Sequence, residues 1–332
     1  MNTTGIIGHR RQIRVLELLR NNGTVPNTML FSGTPGIGKR LVARRFLMSL
    51  FCRDAEPPCL TCPVCRQAAG GTFPDILELR PDDKGSIPIG STDRDEEGSV
   101  RWLIERLSKK SVSGRYGVLI DGAEAISDAG QNALLKTIEE PQAGAHIVIL
   151  TANKSLILPT ILSRCMDVSF NALTPAEVRQ VLAAAGAAGD HELLAALSGG
   201  SVEIALIASD AAVLDGLAGL CGEIAAYLSQ GTMLRLDFAP LLKKMTMEHL
   251  IAILLNRYRA VLESGISGTP LHPFFGADPV PDREKLTKII KILLALRKGL
   301  SNNLNIRNTL KGMLYSMDRM DLVGLPKLGL SQ

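Results

Sequence analysis

Residues 33–40 read GTPGIGKR. A loop of the form G-x-x-x-x-G-K-[ST] turns backbone N–H groups inward around phosphates, and its lysine reaches the outer ones. Its last hydroxyl ligates the Mg²⁺ that rides on a nucleotide. Here Gly33, Thr34, Gly36, Gly38 and Lys39 are in place, and the hydroxyl position holds Arg40. The cradle is kept and the metal ligand is lost. On its N-terminal side, TMLFSG at 28–33 is a short apolar run that reads as a strand. On the other side, RLVARRFLMSLF at 40–51 repeats apolar residues at helical spacing, so a helix would aim its positive end at the loop.

Further along, GVLIDG at 117–122 and HIVILTAN at 146–153 read as two more buried strands. ISDAGQNALLKTIEEP at 126–141 reads as a helix between them, with Ser127 as N-cap and Pro141 as terminator. Alternating strands and helices predict a parallel α/β sheet with its site at the carboxyl ends of the strands. RPDDKGSIPIGSTDRDEEG at 80–98 predicts a long exposed loop whose acid cluster is a solvated surface. TPAE at 174–177 supplies an N-cap threonine, a proline at the first helical position and a glutamate three residues past the cap. Beyond it only helices are expected, among them DREKLTKIIKILLALRKGL at 282–300. The expected organisation is α/β plus all-α: a nucleotide-binding-type domain over 1–168, a small helical domain over 169–210 and a larger helical domain over 211–332.

Composition excludes some classes. With 332 residues, 46% apolar and 21% charged, the chain can build two or three cores and is not of disordered type. The apolar runs LIAILL at 250–255 and IIKILLAL at 289–296 fall short of the roughly 20 residues that span a bilayer. A membrane protein is therefore not expected. MNTTGIIGHRR at the N-terminus has no export-leader pattern, so a cytoplasmic location is expected. A net charge of +4 permits nucleic-acid contact without arguing for it.

FCRDAEPPCLTCPVC at 51–65 places Cys52, Cys59, Cys62 and Cys65 in a C-x₆-C-x₂-C-x₂-C arrangement. Two-residue gaps let neighbouring thiolates converge on one ion, and four soft ligands describe a closed, structural tetrahedral zinc site. Disulfides are the alternative, disfavoured in a reducing cytosol. A DNA-binding finger is another, but CRQAAGGTFPD at 65–75 runs quickly into a turn and a strand with no basic recognition helix. Cys165, Cys221 and the five singly scattered histidines are assigned no chemistry.

Nucleotide hydrolysis needs a metal, held by the loop hydroxyl and by an acid ending the second strand, and a group that positions water. VLIDGAE at 118–124 supplies the acid as Asp121. The next residue, where related ATPases carry the water-activating glutamate, is Gly122. Loss of a general base removes about 10²–10⁴ in rate. Arg40 would also repel Mg²⁺.

The combination of GTPGIGKR, the cysteine cluster just after it, NALLKTIEEP at 132–141 and PTILSRC at 159–165 resembles the bacterial replicative clamp loader, a branch of the AAA+ ATPases. The resemblance is strongest over 5–170 and weak in the last hundred residues, where NNLNIR at 302–307 is the stretch that supports it. Within that family, the degraded nucleotide site resembles the delta-prime type of subunit of the DNA polymerase III holoenzyme. The resemblance implies a RecA-like domain carrying the zinc module at 52–65, a helical lid and a C-terminal helical collar. Through the collar, five subunits, among them gamma/tau and delta, form an open ring that loads a sliding clamp on primer-template DNA. It also implies that the arginine of the SRC triplet, Arg164, projects into the ATP site of a neighbouring subunit, where a guanidinium is worth roughly 10³–10⁵ in rate. ATP or ADP would then bind in the loop of this chain without hydrolysis. GSVEIA at 200–205 places Glu203 where family ATPases carry a phosphate-sensing arginine. Thr151 stands where a polar sensor is expected, and equally where a buried threonine would cap a strand. The runner-up is a working ATPase of the gamma/tau type, discriminated by Arg40, Gly122 and Glu203.

Overall fold

The computed structural model describes residues 2–91, 96–230, 233, 235, 237–268, 272, 274, 283–299 and 312. The chain divides into two compact units, Met1–Ala172 and Leu173–Gln332.

In the first unit a five-stranded parallel sheet is built from β1 (Thr28–Ser32), β2 (Ile76–Leu79), β3 (Tyr116–Ile120), β4 (Ala145–Thr151) and β5 (Met166–Ser169), in the order β2-β3-β4-β1-β5. The three strands read from sequence occupy its centre. Every residue of β1 and β3 is buried, because helices cover both faces and leave no solvated side. Alternate residues feed two separate cores. Met29, Phe31, Leu119, Val148 and Leu150 pack with α1 (Arg10–Asn21) and α2 (Lys39–Phe51). Leu30, Val118, Ile120, Ile147 and Ile149 pack with α4 (Val100–Ser108) and α5 (Asp128–Glu139). α5 begins as its sequence predicts, with the Ser127 hydroxyl accepting from the Gly130 N–H.

The short helix α3 (Pro63–Ala69) starts at Cys62, whose sulfur accepts from the Cys65 N–H. The stretch at 80–98 forms no helix or strand among its described residues, yet it is not wholly exposed. Ile87 is buried and bridges to Ile126, and the carbonyls of Pro88 and Ile89 accept from the N–H groups of Val100 and Arg101. Two apolar isoleucines in an otherwise polar run are what pin it. β5 follows α6 (Pro159–Leu162), and only Val168 in it is buried. The first unit runs on past residue 168 because the Phe170 N–H bonds the Ser32 carbonyl and its ring packs 5.0 Å from that of Phe31.

The second unit is helical. α7 (Pro175–Ala184) opens with a complete capping box between Thr174 and Glu177. It packs with α8 (His191–Ser198) and α9 (Val202–Ala208) around Leu173, Val178, Leu182 and Leu194. A larger core joins α10 (Ala211–Gln230), α11 (Ala239–Leu242), α12 (Met247–Ser267) and α13 (Arg283–Gly299). Among the described residues it contains no strand, and no single helix is long and apolar enough to cross a membrane. NNLNIR at 302–307 lies outside the described residues.

Candidate functional site

Parallel pairing brings the ends of three strands to one edge of the sheet. Ser32 registers with Thr151 and Ile120 with Ile149, so Gly33, Asp121 and Thr151 leave the sheet together. The loop after β1 turns at Gly33, Gly36 and Gly38, all at positive φ. A Cβ on Gly33 would stand 2.3 Å from the Phe170 carbonyl oxygen, so only glycine fits there. Lys39 is 8% exposed, and its Nζ donates to the carbonyls of Gly33 and Thr34 at 2.6 and 2.7 Å. Glycine turns, a helix N-terminus and a lysine folded over the loop fit a nucleotide's phosphates.

Arg40 turns away along the first helical turn toward two acids. Its Nε stands 3.5 Å from Asp121 Oδ2 and its Nη2 3.3 Å from Glu78 Oε2. Glu78 also receives Arg44 Nε at 2.8 Å and Arg80 Nε at 3.0 Å. Burial pushes the Asp121 carboxyl above its ordinary range, with Arg40 and then Lys39 pulling the other way. The carboxylate that a metal would share is thus ion-paired within the chain. Arg44, Arg80 and Glu78 were not foreseen. Arg44 stands four residues after Arg40, on the same helix face, but Glu78 comes from a distant strand.

Gly122 has φ +74, and a Cβ there would stand 3.3 Å from Pro81 Cγ, so a glutamate could occupy this position only under strain. The next acid along the chain, Glu124, is committed through Oε1 to the Ala152 N–H at 2.9 Å. Thr151 is 1% exposed, and its hydroxyl accepts from the Asn153 N–H at 3.0 Å, which is a strand-ending contact.

Arg164 lies at the opposite edge. Met166, two residues on, registers with Met29 near the start of β1. At about 3.3 Å per residue the sheet puts roughly 13 Å between that register and Gly33. Arg164 lines a groove with Pro26, Asn27, Thr28 and Glu139. Its Nε pairs with Glu139 Oε1 at 2.8 Å, and its Nη1 donates to the Thr160 carbonyl at 2.9 Å.

The four cysteine sulfurs lie within 4.8 Å of one another, with Cys52 to Cys62 and Cys59 to Cys65 both at 4.0 Å. A tetrahedron with Zn–S bonds of about 2.3 Å has edges of about 3.8 Å, so the donor set fits zinc. Backbone N–H groups of Cys59, Cys62 and Cys65 point at the sulfurs of Cys52, Cys59 and Cys62, which favours thiolates. Thr61, first through its side chain, draws the Cys59 thiol down to about 6, whereas burial pushes Cys65 up to about 12. The one cation of α3, Arg66, is tied to the Thr61 carbonyl at 2.6 Å, leaving no basic face to read DNA. No other group of three or more metal-ligating side chains occurs among the described residues. Burial raises the Cys165 thiol to about 11, which keeps it inert.

The family model described as DNA polymerase III, delta subunit, matches residues 8–174, half of the chain and all of the sites above. The chain belongs to the DNA polymerase III delta subunit family. Its similarity extends to subunits with other names. It is 33% identical over 177 residues to DNA polymerase III subunit tau of Salmonella typhimurium, covering 52% of this chain and 26% of that one. To subunit tau of Escherichia coli it is 32% identical over 218 residues, covering 62% and 32%. It spans between a quarter and a third of the length of these curated relatives. A solved gamma-subunit-related protein of Thermotoga maritima covers 92% of this chain and 98% of its own at 20% identity and a TM-score of 0.48. The delta subunit family match ends before Glu203, which lies in the first turn of α9 and stands 3.5 Å from His249 Nε2 on α12.

Proposed function

We propose that this chain is a non-hydrolysing, delta-prime-like subunit of a replicative clamp loader. It joins gamma/tau and delta subunits in the cytoplasm and lends Arg164 to the ATP site of a neighbour. The resulting ring loads a sliding clamp on primer-template DNA. The observation that supports this most is the ion pairing of Arg40 with Asp121 and Glu78, which sets a cation against the carboxylate a catalytic metal needs. The left-handed Gly122 supports it further, since no group there can orient water. Arg164 stands at the sheet edge away from its own cradle, so a phosphate it serves belongs to another subunit. In this reading the cysteine cluster holds a structural zinc, the helices to residue 210 form the lid and those beyond form the collar. Thr151 retains its sensor position without a reaction to sense.

The second reading, a gamma/tau-type ATPase, is favoured by the names of the relatives and by the intact glycines and Lys39. Steady-state ATPase assays separate the two. The purified chain should show no turnover that Lys39→Ala removes, and a reconstituted complex should lose its DNA-stimulated turnover on Arg164→Ala. Lysine-dependent turnover by the lone chain would hand the case to the second reading.

A further inference from the structure

Resting on the reading of the cradle as retained but not hydrolysing, we propose that this chain binds a nucleoside di- or triphosphate without Mg²⁺, Arg40 supplying the charge that a loop-held metal supplies elsewhere. Around the cradle's outer side, the cations Lys39, Arg40, Arg44 and Arg80 face the carboxylates Glu78 and Asp121. Four positive charges against two negative leave a surplus of two, of which Arg40 supplies one at the place a metal would take. A serine or threonine at 40 would halve that surplus and open Asp121 to a metal.

Arg40 is fitted to the task in three ways. A guanidinium cannot lose its proton in a protein, and its planar fork offers parallel N–H groups to phosphate oxygens. It occupies the residue after Lys39, on the first turn of α2, so its charge adds to the helix N-terminus. It is also loosely held: its side chain keeps 37% of its exposure, its buried Nε forms no hydrogen bond, and its contacts to the two acids are 3.3 and 3.5 Å. Such loose pairs can be traded for shorter charge-assisted bonds to a phosphate. Arg44 and Arg80 keep Glu78 neutralised when Arg40 moves.

Titration calorimetry of the full chain with ADP tests this, in Mg²⁺ buffer and in EDTA. The expected result is a Kd that is the same within about twofold in both buffers, or tighter in EDTA. Arg40→Thr should weaken binding in EDTA about tenfold and create a Mg²⁺ requirement, whereas Arg40→Lys, which keeps the charge without the fork, should weaken it less and create no Mg²⁺ requirement. Should Arg40→Thr fail to fold, Asp121→Asn serves: without a metal to hold, its loss leaves Kd unchanged or tighter. A wild-type Kd weakened tenfold or more by EDTA, a tenfold loss in Asp121→Asn in Mg²⁺, or no ADP binding in either buffer each overturns the inference. Those outcomes leave the role of Arg164 in a neighbour's site standing, because that role is read from the ATPase of the complex.

Discussion

The two edges of the central sheet hold arginines under opposite conditions. At the carboxyl edge Arg40, Arg44 and Arg80 close on Glu78 and Asp121, so both carboxylates there are paired inside the chain. At the amino edge Arg164 has, among the described residues, a single carboxylate partner, Glu139, in a groove open to solvent, and both side chains keep about two fifths of their exposure. An exposed pair of this kind is worth at most about 1 kcal/mol. A neighbouring site offering developing phosphate charge can outbid that hold. The comparison teaches that one sheet can hold at its two ends an arginine paired with acids of its own chain and an arginine open to solvent, divided by the length of a β-strand.

The largest expected effect tests the proposed role of Arg164 in a neighbour's site. Arg164→Ala should lower the stimulated ATPase of a reconstituted complex by about 10³-fold or more while leaving assembly, read by size-exclusion chromatography, unchanged. Arg164→Lys should recover little, because an ammonium does not reproduce the planar fork. If both variants retain full ATPase, the two edges differ only in packing and the comparison has no functional content.

A second test concerns the support on which the carboxyl edge is mounted. Cys52 caps α2, the helix that begins at Lys39, and the cysteine cluster packs on Met48 of that helix. Cys62→Ser, or chelation, should release zinc measurable by atomic absorption and cost several kcal/mol of local stability. Proteolysis should then appear first between residues 52 and 71. Loss of nucleic-acid binding with an unchanged melting curve would instead favour the finger reading.

The parts of this design differ in how far they can be read from the sequence, and the reason is range. The loop at 33–40, the cysteine spacing and the caps at Ser127 and Thr174 are local chemistry, complete within a few residues, and the structure reproduces each. β5 was not expected, because MDVS buries only Val168 and its pairing with β1 spans more than a hundred residues. The fate of Arg40 was equally hidden. The sequence announces an arginine where a hydroxyl belongs, but Glu78 sits 38 residues away on a strand that registers with β3. Glu139, the partner of Arg164, lies in the quoted TIEEP stretch, yet only the packing of α5 against α6 brings the two side chains together.

A smaller effect asks whether the carboxyl edge can be repaired. Gly122→Glu restores the residue type of an active site but places it at φ +74 against Pro81. Left-handed backbone costs a residue with a Cβ roughly 1–2 kcal/mol, so thermal unfolding should fall by a few degrees. ATPase should remain absent, since Arg40 still stands where a hydroxyl would hold the metal. Only with Arg40→Ser added should turnover emerge, and turnover in the single variant would show that the ion pair is no barrier.

The smallest effect lies where Glu203 replaces the expected phosphate-sensing arginine. The hydrogen bond from His249 to Glu203, helped by the charges of Glu203 and Glu248, raises the imidazole above its ordinary value against a lowering by burial. A raised folded-state value means that the stabilisation is fully present below the unfolded value of about 6.5 and is lost as pH rises through the folded one. Its size is limited, because Glu203 keeps 50% of its side-chain exposure and the charged ring gives something up. Nδ1 accepts the Thr246 N–H in the capping box at 3.4 Å, and a protonated Nδ1 cannot accept. The net contribution should therefore stay under about 1 kcal/mol. Chemical denaturation of the full chain should show stability declining slightly from pH 6 to pH 8, and Glu203→Gln should flatten that slope. A slope unchanged in the variant would mean that Glu203 is not held by His249.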